Sequence, residues 1–139
     1  MMRDAVGRSD PVSLMIIDVD RFKGVNDQFG HMEGDRVLQK LVETVKAKLR
    51  PADRLFRYGG EEFVVLCPGL PYADVQSRAE DIRLAVSAGV KTPNGHPVTA
   101  SIGVSSTLAD GAGIHELLAQ ADIRLYAAKS TGRNRVVGR

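Results

Sequence analysis

Tryptophan is absent from this 139-residue chain, cysteine occurs once, and aromatic residues make up only 5%. A lone cysteine forms no internal disulfide, which excludes a disulfide-stapled secreted domain and fits a reducing compartment. Cys67 lies in an apolar stretch and reads as a packing residue. Long hydrophobic runs are missing as well. Nothing approaches the ~20 apolar residues that cross a bilayer, and no charged-then-apolar leader opens the chain. These absences point to a cytoplasmic domain and leave open whether a parent protein is membrane-attached. Neither sign of charge dominates: the formal net charge is +2, too small for a general nucleic-acid binder, and no nucleic-acid partner is expected. Internal repeats and low-complexity tracts are also lacking.

What is present suits one domain with a real core, at 43% hydrophobic and 26% charged residues. Residues 1–11 show no apolar periodicity and read as a residual linker or N-terminal segment; the domain proper is expected over 12–139. Val12 to Val19 is a strand whose nearly continuous apolar run, Leu14-Met15-Ile16-Ile17, predicts a central position covered on both faces. A short turn or helix from Arg21 to Phe29 ends at Gly30. Val37, Leu38, Leu41, Val42, Val45 and Leu49 then recur at helical spacing, predicting a helix over 35–50 that Pro51 stops. A hairpin over 55–67 follows, with Gly59-Gly60 as a turn that uses glycine's tolerance of positive φ. Helices are expected over 73–88, with Pro71 at the first helical position, and from Ile114 past Leu125 to a stop at Gly132. Strands are expected at 98–104 and 135–137, with a loop at 110–113. Helices interleaved with an antiparallel hairpin argue for an α/β sandwich of the ferredoxin or polymerase-palm kind, with a mixed central sheet flanked by helices.

The chemistry concentrates at Tyr58-Gly59-Gly60-Glu61-Glu62-Phe63. Two carboxylates on a sharp tip are costly unless something positive sits opposite them. A solvated tip is one reading. A metal site is the other, and Asp18, at the end of the first strand, would supply the second carboxylate. Hard oxygen ligands of that kind suit Mg²⁺ or Mn²⁺ and phosphoryl or nucleotidyl transfer.

The neighbouring residues bear on a nucleotide. Lys23 follows the strand closely enough to meet phosphate oxygens, as do the backbone N–H groups of Arg21 and Phe22 at a helix start. Asn26 and Asp35 make an amide–carboxylate pair that can match the donors of guanine and reject adenine. A turn asparagine and a helix N-cap aspartate are the plainer readings of the same two residues. Beyond Asp122, the basic residues Arg124, Lys129, Arg133, Arg135 and Arg139 run without an acid among them.

Together these stretches resemble the GGDEF family, the diguanylate cyclases, in the GGEEF variant. The matching parts run from Asp18-x-Asp20-x-Phe22-Lys23-x-x-Asn26-Asp27 through Phe29-Gly30-His31-x-x-Gly34-Asp35 and Arg57-Tyr58-Gly59-Gly60-Glu61-Glu62-Phe63. They continue in Ser101-x-Gly103, Ala121-Asp122 and Leu125-Tyr126-x-Ala128-Lys129-x-x-Gly132-Arg133-Asn134. The resemblance implies condensation of two GTP into cyclic di-GMP with release of two pyrophosphates, by a homodimer that pairs two sites. It implies a metal held by Asp18, Glu61 and the Val19 carbonyl. Lys23, Glu61 and Glu62 would be catalytic, with the proton acceptor left open between the two glutamates. Arg21, Phe22, Asn26, His31, Asp35, Lys129 and Arg133 would bind substrate.

Arg50-Pro51-Ala52-Asp53 resembles the family's inhibitory product site for cyclic di-GMP, which Arg78 or Arg83 would complete. A helix-terminal arginine beside a loop aspartate is the plainer reading. The family's usual opening helix, with its Asp-x-Leu-Thr-x-Leu-x-Asn-Arg motif, has no match. The chain therefore reads as N-terminally truncated, with an upstream sensory or dimerising domain in the parent and little activity of its own. A binding module that senses cyclic di-GMP or GTP without catalysis is the alternative.

Overall fold

A computed structural model describes residues 11–107 and 113–139. Strand β1 (Val12–Val19) runs antiparallel between β3 (Glu62–Pro68) and β4 (Ala100–Ser106). Strand β2 (Arg54–Arg57) pairs antiparallel with the outer side of β3, and β5 (Val136–Val137) pairs parallel with β4. The sheet order is β2-β3-β1-β4-β5, a mixed sheet as expected. Helices α1 (Phe22–Phe29), α2 (His31–Lys46), α3 (Tyr72–Gly89) and α4 (Ile114–Ser130) flank it.

All eight residues of β1 are buried, because both faces of this strand are covered. Met15, Ile17 and Val19 pack with Val37, Leu41 and Val45 of α2 and with Val75, Ile82 and Val86 of α3. Val12, Leu14 and Ile16 point the other way, onto Leu117, Ala121 and Leu125 of α4. Each such aliphatic side chain contributes roughly 2 kcal/mol on burial. Alternation along the strand thus assigns α2 and α3 to one layer and α4 to the other. Gly103 sets the spacing of that second layer: a Cβ there would lie 2.1 Å from the Ala121 carbonyl oxygen and 2.4 Å from the Leu125 nitrogen.

Several boundaries differ from expectation for identifiable reasons. Helix α2 begins at His31 rather than 35, after Gly30 at φ 91° serves as its N-cap. Asp35 is therefore inside the helix and caps nothing. The first turn of α2 is largely exposed and shows no apolar period, so its start is hidden from pattern reading. Past Lys46 the chain tightens, with Lys48 and Leu49 bonding back three residues, and the regular helix ends before Pro51. Pro71 is the N-cap of α3, not its first helical residue. Strand β4 is shifted two residues from the expected 98–104.

The hairpin tip is built differently too. Neither Gly59 nor Gly60 has a positive φ. The link is a four-residue loop closed by the Tyr58 and Gly59 N–H groups on the Glu62 carbonyl, at 2.8 and 3.1 Å. The Arg57 guanidinium donates to the Gly59 and Gly60 carbonyls and staples the loop from outside. The expected loop at 110–113 lies, except for Gly113, outside the described residues, as does the 1–11 segment except for Pro11.

Candidate active site

The register at the end of β1 decides which acid meets which. Asp18 stands opposite Glu62 on β3, and the Val19 N–H donates to the Glu61 carbonyl. Cross-strand neighbours share a face, so the Glu62 side chain joins Asp18 on the α4 side. Glu61, one residue earlier, turns to the opposite side. The expected partner of Asp18 was Glu61; the sheet sets Glu62 there instead.

On the α4 side, the Lys129 ammonium donates to Asp18 Oδ2 at 2.8 Å, with the Asp18 side chain 3% and the Lys129 side chain 34% exposed. Burial alone would lower the Lys129 pKa; the hydrogen bond and charge of Asp18, with Glu62 and Glu61 behind it, outweigh that and raise it. The Glu62 carboxyl is pushed up to about 6, first by burial, then by hydrogen bonding to Asp18 and its charge. Lys129 opposes that rise and Asp122 adds to it. One lysine is thus shared among several carboxylates, which leaves the cluster short of positive charge.

On the other side, Glu61 lines an open cleft of about 520 Å³ with Phe22, Lys23, Asn26, His31 and Asp35. Six of the sequence-derived site residues therefore come together there. Asn26 Oδ1 is buried and has no hydrogen-bond partner among the described residues. Gly34 makes that placement possible, since a Cβ there would lie 1.8 Å from Asn26 Oδ1. Lys23 extends outward, 87% exposed and ion-paired with Asp27 at 2.8 Å. The first-turn N–H groups of α1 have no partners within the helix, and Arg21 before them takes a left-handed φ of 56°.

Arg21 and Arg133 are not brought into this cleft. Arg21 borders a separate hollow with Thr92 and His96. Arg133 sits in the turn after α4, at φ 62°.

The second constellation lies where α2 runs into β2. Asp53, its side chain 0% exposed, accepts from the Arg50 N–H at 2.8 Å and from Arg50 Nε and Nη2 at 3.0 and 2.7 Å. Arg78 of α3 comes within 4.0 Å of the same carboxylate, while Arg83 pairs with Glu80 and Asn134 instead. Arg78, not Arg83, is therefore the third member. Buried Cys67 beneath is pushed up to about 12 by burial and by Asp53, as suits an inert packing thiol.

Sequence reading gave no role to Arg57, Asp122 or Asp20. Arg57 orders the tip, Asp122 loads the Glu62 carboxyl, and Asp20 is held by Thr99, Ser101 and Asn134. A period-two count along β3 could have separated Glu61 from Glu62. No local signal marks the others.

The family described as "Diguanylate cyclase, GGDEF domain" matches residues 1–135. The chain belongs to the GGDEF family. It is 44% identical over 143 residues to the response regulator PleD of Caulobacter vibrioides, an alignment that covers all of this chain and 32% of PleD. It thus spans about a third of that relative's length. Among solved structures, the active GGEEF domain of a diguanylate cyclase from Vibrio cholerae superposes with a TM-score of 0.92 at 32% identity, covering 98% of this chain and 87% of that one. The GGDEF domain of DgcB from Caulobacter crescentus, in complex with c-di-GMP, gives 0.87 at 32% identity, covering 98% and 82%.

The GGDEF family generally uses divalent metal ions, and the donor set here fits one. Among the described residues no three His, Cys, Asp or Glu side chains form a self-contained cage. Mg²⁺ does not need one, since it is commonly held by one or two carboxylates together with substrate phosphates. Asp18 and Glu62, paired across the strands with Lys129 beside them, offer two such carboxylate donors.

Proposed function

We propose that this chain is the catalytic domain of a diguanylate cyclase. The observation that carries the reading is the split of Glu61 and Glu62. Two adjacent residues join a cation-short carboxylate pair on one side of the sheet to a nucleotide-sized cleft on the other. Asp18 and Glu62, with the Val19 carbonyl and Glu61 beside them, would hold Mg²⁺ or Mn²⁺. When bound, that ion supplies the positive charge that draws a triphosphate into place and stabilises charge developing on it.

The protein's own residues do the rest. Asn26 and Asp35 pair with the edge of guanine, with Phe22 and His31 in the same cleft. Asn26 Oδ1, otherwise orphaned, gains a donor there. Lys23, the first-turn N–H groups of α1 after Arg21, Lys129 and Arg133 meet the phosphates. The 3′-oxygen of one GTP attacks the α-phosphorus of another. The bond from that phosphorus to the bridging oxygen breaks, and pyrophosphate leaves. One of the tip carboxylates, Glu61 or Glu62, accepts the hydroxyl proton. A second such step closes the ring of cyclic di-GMP. Because two nucleotides must be held in line, a second copy of the chain faces the first. An upstream sensory or dimerising segment of the parent protein brings the copies of this cytoplasmic domain together.

The Arg50, Asp53 and Arg78 set is proposed as a product-binding site that feeds back on the reaction. DgcB of the same family was solved in complex with c-di-GMP, which supports binding of this class of ligand. The decisive experiment is incubation of the complete protein with GTP and Mg²⁺, with the product identified by mass. Cyclic di-GMP formation supports the reading. Binding of GTP or cyclic di-GMP without turnover would make this a sensing module instead.

A further inference from the structure

Asp20 lies two residues beyond Asp18 and has no part in the carboxylate pair. It is 6% exposed. Its Oδ1 accepts from the Ser101 hydroxyl at 2.6 Å. Its Oδ2 accepts from the Thr99 hydroxyl at 2.7 Å and from the Asn134 backbone N–H at 3.0 Å. Its own N–H donates to the Thr99 carbonyl at 2.9 Å. Three of the carboxylate's roughly four acceptor positions are thereby used inside the protein, which leaves little capacity to ligate anything else.

The Asn134 bond reaches an unusual turn. Gly132, Arg133 and Asn134 all have positive φ, at 131°, 62° and 47°. Consecutive non-glycine residues in the left-handed region persist only where their surroundings hold them there. Here the Arg133 N–H is held by the Ala128 carbonyl at 2.8 Å, and Arg83 of α3 donates to Asn134 Oδ1 at 2.8 Å. Asp20 supplies the hold from β1, the strand that carries Asp18. The turn lies directly after α4, the helix that carries Lys129.

We infer that Asp20 is a positioning residue: by fixing the Gly132–Asn134 turn to the end of β1, it sets the Arg133 guanidinium for the phosphates of the substrate. The inference rests on the proposed reading that Arg133 meets a triphosphate. Asp20 acts through Arg133 and touches neither substrate nor metal. Removing its charge loosens the turn, and Arg133 then spends part of its binding contribution on becoming ordered.

The test uses 3′-deoxy-GTP with Mg²⁺, which lacks the attacking hydroxyl and so binds without reacting. Titrate it calorimetrically into the complete protein and into Asp20→Asn, Arg133→Ala and the double variant. Each single substitution is expected to weaken binding about tenfold, the scale of one charge-assisted hydrogen bond. The double variant is expected to bind no more weakly than Arg133→Ala alone. Should Asp20→Asn fail to fold, Asp20→Glu keeps the charge, displaces the Asn134 contact by one methylene, and carries the same expectation. Losses that multiply in the double variant overturn the inference, because Asp20 would then act independently of Arg133. Loss of Mn²⁺ binding in Asp20→Asn without nucleotide also overturns it, by making Asp20 a ligand. Wild-type-like binding in Arg133→Ala removes the phosphate role of Arg133 and the inference with it, whereas the cyclase reading is judged separately by product formation.

Discussion

Asp18 and Asp53 are both buried carboxylates with a cationic partner, yet their surroundings differ in kind. Asp53 is closed: a guanidinium meets it twice, a backbone N–H once, and a second arginine stands at 4.0 Å. Asp18 is open: one partly exposed lysine serves it, and the neighbouring Glu62 carboxyl is held up at about 6 by burial and by Asp18 itself. Removing a saturated acid of the first kind strands the buried donors that meet it. An undersupplied acid of the second kind costs stability and is poised for a cation to arrive. The pair of sites shows how one residue type, equally buried, is left saturated or undersupplied by the count of its donors.

The comparison breaks most visibly in turnover. Asp18→Asn, and separately Glu62→Gln, should reduce cyclic di-GMP formation by the complete protein at least ~100-fold, the scale of removing one preorganised charge from a reacting centre. Neither should lower the thermal unfolding temperature appreciably, since each relieves repulsion between the two acids. Near-normal rates in either variant would take that carboxylate out of the site.

At the closed acid the expectation is reversed. Asp53→Ala should destabilise the chain by roughly 3 kcal/mol, the scale of breaking a buried ion pair by removing one partner. The midpoint of urea unfolding measures it. A shift smaller than that for Asp18→Asn would mean that Asp53 is the weaker anchor and would invert the comparison.

A finer contrast comes from ligand. Arg50→Ala should weaken cyclic di-GMP binding about tenfold, with 3′-deoxy-GTP affinity unchanged, as calorimetric titration of both ligands would read. Unchanged product affinity would return Arg50 to a purely structural pairing with Asp53.

The smallest effect is in pH. With Glu62 raised from 4.5 to about 6, the folded chain binds more protons than the unfolded one between those values. The contribution of this group to stability therefore falls as pH rises through that window and stays lost above about 6. Unfolding temperatures in chelator between pH 4 and 7 should show this slope, and Glu62→Gln should lack it. Saturating Mn²⁺ should flatten it near pH 6 if the ion settles on this carboxylate.

The parts legible in the sequence were those decided locally. The apolar run of β1 announced a strand covered on both faces, because continuous burial leaves no alternation to hide. The helical period of α2 was plain from Val37 onward. Its start was not, since its first turn buries little and Gly30 signals both an end and a beginning. Asn26 and Asp35 could be named as neighbours in function from the order of their motifs, and they do share a cleft. What escaped reading depended on distance along the chain. Lys129 reaches Asp18 across 111 residues, and Asn134 reaches Asp20 across 114. No periodicity encodes such meetings. The tip was misjudged for another reason: Gly59 and Gly60 invite a positive-φ turn, but Arg57 stabilises a looser loop in which neither needs it.

Gly103 carries a consequence far from its own position. It has no functional group, and it lies on β4 beneath α4. With hydrogen alone at its Cα, the helix backbone rests against the sheet, and Lys129 near the helix end arrives within hydrogen-bond distance of Asp18. A methyl group there would act as a shim and raise α4. The ammonium would then stand off from the strand end by about the thickness of one carbon atom, and at low dielectric small gaps of that size are felt strongly. The reach of the cation that meets Asp18 is thus metered by an atom that is missing on a neighbouring strand. In a mutational scan such a position would score like a member of the site, although nothing at it could ever touch a nucleotide.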